Sequence, residues 1–243
     1  MSNVDESVGG NDRADSVARV LVKVRAVLGD PAGWVSPGGY PGSLALCAID
    51  AIQSLGVRYT SVERVVARYR NFRREQGHDP NADGVTELLH TFSTVGGARP
   101  WAETIGTLHR TSTHAGAPLK AEAIEQAARA LAARRILTCR DLASAEADHP
   151  GQAKAAWLLV RGQRSGTSWR YLLMLSGTPG VKPDRMIIRF VATALDRPES
   201  TVSTQEAVRL ITSVARELGV SATLLDHAVW RWQSGRRVNS SDR

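Results

Sequence analysis

Apolar residues recur at three- and four-residue spacings along most of the chain, and period-two alternation is scarce. That pattern predicts a succession of helices with little β-structure. Ser16 can cap a helix over 16–28, which Gly29, Asp30 and Pro31 stop. A Gly- and Pro-rich loop fills 29–42. Ser43 opens an apolar helix to about Leu55, and Thr60 or Ser61 opens another to about Gln76. Residues 77–83 read as a loop. Helices follow at 84–94, 100–106 and 119–134, then a one-to-two-turn helix begun by Thr138 or Asp141, and another at 152–160. Gly166 and Thr167 open a helix to Ser176. Pro183, suited to a first helical turn, opens the next to Leu195, and the last two begin near Ser203 and Ser221. Residues 1–15 are expected to be a disordered acidic tail and 236–243 a short polar tail, flanking one all-α domain over 16–235.

The helix from Ser43 is apolar nearly all round, through Leu44, Ala45, Leu46, Ala48, Ile49, Ala51, Ile52 and Leu55, as a central, buried helix must be. Asp50 and Gln53 inside it need polar partners. Either they satisfy the backbone of a neighbouring loop or they line a pocket. By contrast 58–76 carries Arg58, Arg64, Arg68, Arg70, Arg73 and Arg74 against Glu63 and Glu75. Arg64/Arg68 and Arg70/Arg74 are i,i+4 pairs of like charge, which repel unless anionic company or solvent separates them.

Composition narrows the class. In 243 residues with a hydrophobic share of 42%, the chain can bury a sizeable core. Its net charge is +7; residues 1–16 hold four acids against one base, so the remainder carries +10. A basic body of that size favours a polyanion such as DNA or RNA. No apolar run reaches the roughly 18 residues that span a bilayer, and the polar, acidic N-terminus is unlike a secretory signal. Cys47 and Cys139 are the two cysteines, too few for an iron–sulfur cluster or a four-cysteine metal site, and they suit a reducing cytoplasm. His109 and His114 lack further ligands for zinc, so no metal and no cofactor are expected. A Ser–His–Asp hydrolase lacks its G-x-S-x-G elbow here. The expectation is a cytoplasmic, nucleoid-associated monomer.

The chemistry concentrates in 162–191, GQRSGTSWRYLLMLSGTPGVKPDRMIIRFV. A Gly-containing turn, 162–166, joins two helical segments, with Arg161, Arg164 and Arg170 around it and no intervening acid. Unpaired amides and the dipole at the following helix start favour a phosphate. A second helix start follows at Lys182, Pro183 and Asp184, where Asp184 reads as a cap by itself.

This stretch resembles the helix-hairpin-helix DNA glycosylases of the endonuclease III and adenine glycosylase kind. They carry a hairpin of the form L-P-G-V-G-x-K-T-A, then an apolar helix, then V-D-T-H-V-x-R-V with a catalytic Asp. Gly166, Thr167, Ser168, Trp169 and Arg170 look like the end of that hairpin. KPDRMIIRFV resembles the catalytic segment, with Asp184 on the motif's Asp and Arg189 on its Arg. The Ser168-to-Asp184 gap is 16 positions, about two short of the family's, a difference the loop 178–182 takes up. DAIQSLGVRYTSVERVVARYR looks like the family's early helix-loop-helix, and DHAVWRWQSGRR like its closing helix, without the four cysteines that follow in iron–sulfur members.

The resemblance implies a two-lobed, all-α glycosylase fold with a cleft between its lobes and no iron–sulfur cluster. It implies contacts to double-stranded DNA from Gln163, Arg164, Gly166, Thr167, Ser168, Arg170 and Arg185, and a base pocket or intercalating group from Asp50, Gln53, Arg58, Tyr59 and Trp101. Bifunctional members place a Schiff-base Lys where Ser168 stands, so the implied enzyme is monofunctional. Asp184 then stabilises positive charge on the sugar of a flipped nucleotide and aligns or activates water. The hairpin departs from G-x-G, reading Gly162, Gln163, Arg164, Ser165, Gly166. A noncatalytic DNA-binding relative is the rival expectation.

Overall fold

The computed structural model describes residues 5–239, with side chains from Ala14 onward. Among these residues there are twelve α-helices: α1 (Asp5–Leu28), α2 (Leu44–Gln53), α3 (Tyr59–Glu75), α4 (Val85–Val95), α5 (Ala98–Thr104), α6 (Lys120–Ala132), α7 (Cys139–Asp148), α8 (Gln152–Leu159), α9 (Thr167–Leu175), α10 (Arg185–Leu195), α11 (Thr204–Glu217) and α12 (Ala222–Gln233). β-Structure among them is confined to isolated bridges, Trp34 with Asn239 and Arg110 with Leu119. The protein is all-α. No helix of the described residues is long and apolar enough to cross a membrane.

The chain divides into two compact units. One is formed by residues 1–38 and 179–243, the other by 39–178. In the first, Val17, Val20, Val24 and Leu28 form the buried stripe of α1. They pack into one core with Ile187, Phe190, Val191 and Leu195 of α10, Leu210, Ile211 and Val214 of α11, and Leu225 and Val229 of α12. Each set repeats at three and four residues, so helix formation and core formation need the same residues. The Phe190 and Trp232 rings meet edge-on at 5.8 Å, with Lys23 Nζ 5.5 Å from the Trp232 ring centre.

Two expected tails need correction. Helix α1 starts at Asp5, and not at Ser16. Once the packed 17–28 segment has nucleated, each added residue gains a backbone hydrogen bond at little further cost. At the other end Val35 N donates to Val238 O (2.9 Å) and Trp34 bridges Asn239, so 238–239 belong to the fold. The remaining parts of the expected tails, 1–4 and 240–243, lie outside the described residues.

In the second unit all ten residues of α2 are buried, and α3, α4, α6 and α9 surround it. Ser43 caps α2, accepting from Leu46 N (3.3 Å) and donating to Asp83 O (2.8 Å). Helix α3 presents Val62, Val65, Val66 and Tyr69 to α2 and leaves Arg58, Arg64 and Arg74 exposed. It begins at Tyr59, with Arg58 as a cap residue that makes no side-chain bond. Its cationic face is less repulsive than the spacing implied, because two of its arginines, Arg68 and Arg73, are engaged by buried acceptors. Arg73 pairs with buried Asp83 through two contacts, 2.7 and 3.1 Å, and Tyr69 adds a third bond to the same carboxylate at 2.8 Å. Arg68 donates to the carbonyls of Ile105 and Gly106.

Candidate functional site

Helix α8, a seven-residue connection and α9 form a helix-turn-helix hairpin in the second unit. Gly162 (φ +87°) and Gly166 (φ +72°) occupy left-handed backbone, which favours glycine. At Gly162 a Cβ would also collide with the side chain of Thr111, so a second constraint fixes the residue. Gly166 N donates to Gln163 O (3.0 Å) and caps α9 with no side chain, while the Ser165 hydroxyl accepts from the first α9 amide, Thr167 N, at 3.4 Å.

The hairpin's polar side chains divide in two. Arg164 is exposed, and Arg170 is half-buried with Nη1 buried and lacking a hydrogen-bond partner. Gln163 and Ser168 are fully buried. Ser168 Oγ donates to Gln163 Oε1 (2.6 Å) and accepts from Trp157 Nε1 (2.9 Å). These two residues tie the turn to the α8–α9 interior, where the Trp157 and Trp169 rings pack at 5.8 Å. Their side chains therefore do not reach a DNA surface, which corrects the expectation for both.

Asp184 lies in the first unit at the start of α10, with Arg185 exposed beside it. It is the N-cap; Pro183 precedes the helix and is not its first residue. Asp184 Oδ1 accepts from Met186 N (2.8 Å) and Ile187 N (3.3 Å); Oδ2 takes neither bond. The approach to Asp184 is held by α12. Thr223 Oγ1 accepts from Gly180 N (2.8 Å) and donates to Gly180 O (3.2 Å), and Asp226 Oδ1 accepts from Lys182 N (2.9 Å). Thr223 and Asp226 are three apart on one helix face, so a single face fixes the loop. Burial, and then the nearby charge of Asp184, push the Asp226 pKa well above the usual carboxylate range.

Of the residues assigned to a base pocket, the structure brings together Asp50 and Tyr59. Asp50 Oδ2 accepts from the Tyr59 and Tyr40 hydroxyls, each at 3.0 Å, and Tyr171 is hydrogen-bonded to Tyr59. Burial first, and the Asp50 charge second, raise the pKa of Tyr40, Tyr59 and Tyr171, so all three remain protonated donors. Beside them opens a cavity of about 430 Å³ lined by Tyr40, Tyr59, Glu63, Arg70, Asn71 and Arg74, a size that suits a small ligand. Arg70 Cζ stands 5.4 Å from the centre of the Tyr40 ring, and its buried Nε has no hydrogen-bond partner. Arg70 and Arg74, an i,i+4 pair of like charge, thus share one cavity.

The others lie apart. Gln53 Oε1 accepts from Thr107 (3.2 Å), and its carbonyl takes one of two bonds from the buried Lys120, whose other acceptor is Leu55 O. Lys120 places positive charge at the carbonyl end of α2. Arg58 is exposed at the start of α3. Trp101 is not a pocket residue. Its ring is fully buried, stacked on Phe92 at 4.7 Å, with Nε1 donating to Thr91 (2.9 Å). Sequence reasoning missed Tyr40, Tyr171, Arg70 as a pocket group, Lys120 and Asp226. A single aromatic in the Gly/Pro-rich 36–42 segment was the available signal for Tyr40.

These features describe an all-α protein with a hairpin and a polar, aromatic-lined cavity in one unit, and a carboxylate-capped helix in the other. The chain belongs to the family described as Domain of unknown function (DUF8548), which matches residues 18–234. No curated protein and no solved structure matches it.

Proposed function

We propose that this protein is a monofunctional DNA glycosylase with the helix-hairpin-helix glycosylase fold, removing a damaged or modified base from duplex DNA by hydrolysis. The observation that carries the proposal is the order of parts. A glycine-turned hairpin with a glycine-capped helix start leads through one short loop to Asp184, a carboxylate fixed on a helix N-terminus. Arg164, Arg170 and the first amides of α9 supply phosphate contacts, which position the duplex without reading sequence. The target base is flipped out of the duplex before its glycosidic bond is cleaved. As the glycosidic bond breaks, positive charge develops on the sugar; the Asp184 carboxylate stabilises it and aligns the attacking water. Ser168 has no amine and is buried, so no Schiff base forms at that position.

A panel of duplex oligonucleotides carrying single lesions tests this directly. One class of lesion should become an abasic site, read as strand cleavage after hot alkali and as an intact strand without it. If no duplex is cut beyond the protein-free control, the enzyme proposal fails.

The hairpin has its own test. Replacing Arg164 and Arg170 together by Ala should weaken DNA binding and flatten the dependence of log K on log salt by roughly 1–2, as expected for one or two lost phosphate contacts. A folded double variant with unaltered affinity and slope would take the hairpin out of the interface.

A further inference from the structure

Cys47 lies in the middle of α2 and Cys139 is the first residue of α7; both are buried free thiols. Their sulfurs converge on one oxygen. Cys47 Sγ is 3.3 Å and Cys139 Sγ 3.6 Å from the carbonyl of Tyr40, so both thiols donate to the same oxygen. That carbonyl belongs to the residue whose ring lines the cavity, lies against Arg70 and bonds Asp50 through its hydroxyl.

We propose that Cys47 and Cys139 are a modification site, at which a hydroperoxide closes an intramolecular disulfide that displaces Tyr40 and so alters the cavity wall. The two thiols are unequal. The neighbouring Cys47 thiol lowers the Cys139 pKa, and the start of α7 adds a favourable dipole, whereas burial pushes the Cys47 thiol up. Cys139 is therefore the attacking sulfur. Its thiolate forms an S–O bond as the peroxide O–O bond breaks, giving a sulfenic acid and an alkoxide, or hydroxide where the oxidant is hydrogen peroxide; sulfur is oxidised and peroxide reduced. Cys47 then attacks that sulfur. The S–S bond forms, the S–O bond breaks, and the leaving hydroxide takes the Cys47 proton as water. Both S–H donors to Tyr40 O are lost, leaving Ser43 N (2.9 Å) as its donor. The sulfurs must also close to a bond length of about 2.0 Å. Helices α2 and α7 must shift against the Tyr40 peptide to allow this.

Full-length protein treated with hydrogen peroxide, digested without reduction and read by mass spectrometry should yield a Cys47–Cys139 cross-linked peptide. It should form at least about tenfold faster than in the urea-unfolded chain, because the fold holds the two sulfurs together. The tyrosine band of the near-ultraviolet circular dichroism should change in step, recover with dithiothreitol, and stay unchanged in Cys139→Ser and in Cys139→Ala. The same change should shrink in Tyr40→Phe. Sulfinic acid without a cross-link, or a cross-link no faster than in urea, overturns the site. A cross-link that leaves the tyrosine band unaltered overturns its coupling to the cavity.

Discussion

Asp184→Asn is expected to keep the fold and DNA binding and to lose base excision by roughly 10²-fold or more, the scale on which removing one electrostatic partner of a transition state acts. The structure makes this substitution discriminating. Asp184 is a working N-cap, with one oxygen accepting from Met186 N and Ile187 N. Asn offers a carbonyl oxygen of the same reach and is as good a cap, so stability should change by no more than about 1 kcal/mol. What Asn lacks is the charge. If Asp184 only caps α10, the variant will excise at the parental rate, and the glycosylase mechanism is lost. If it faces the developing oxocarbenium ion, binding curves will overlay while single-turnover rates separate. Asp184→Ala serves poorly in its place, since cap and charge disappear together.

The sequence disclosed the helices well because their starts are written in side chains. Ser43, Thr138, Asp184, Ser203 and Ser221 each accept a backbone amide at the start of a helix. The nearly all-apolar 44–55 segment announced a central helix, and α2 is buried throughout. Local signals fail where a residue's partner is distant in sequence. Trp101 looked available for a pocket, but Thr91 and Phe92 of the preceding helix absorb its N–H and its ring. Gln163 and Ser168 matched a surface motif, but Trp157, on the other arm of the hairpin, turns them inward. The Asp50 cluster draws Tyr40 from a loop, Tyr59 from α3 and Tyr171 from α9, segments that share no periodicity. Only packing around α2 brings them together.

The arginines of α3 show the same division, and they carry the largest expected loss of stability. Arg73 and Asp83 are both nearly inaccessible, at 3% and 4% side-chain exposure, and the carboxylate also holds the Tyr69 hydroxyl. Removing one member strands a buried charge. Arg73→Met should therefore cost about 3–5 kcal/mol, a large part of a domain's total stability. Replacing both charges by apolar groups, Arg73→Met with Asp83→Leu, removes that stranded charge and should recover much of the loss. The residual cost is a Tyr69 hydroxyl without its acceptor, about 1–3 kcal/mol. Arg74 on the same helix, exposed and facing the cavity, should tolerate Ala within roughly 0.5 kcal/mol, as ordinary surface positions do. Denaturant titrations at constant pH measure all three. An Arg73→Met protein as stable as its parent, or a double variant less stable than the single, would mean that solvent already screens the pair, and its place in the core would be wrong.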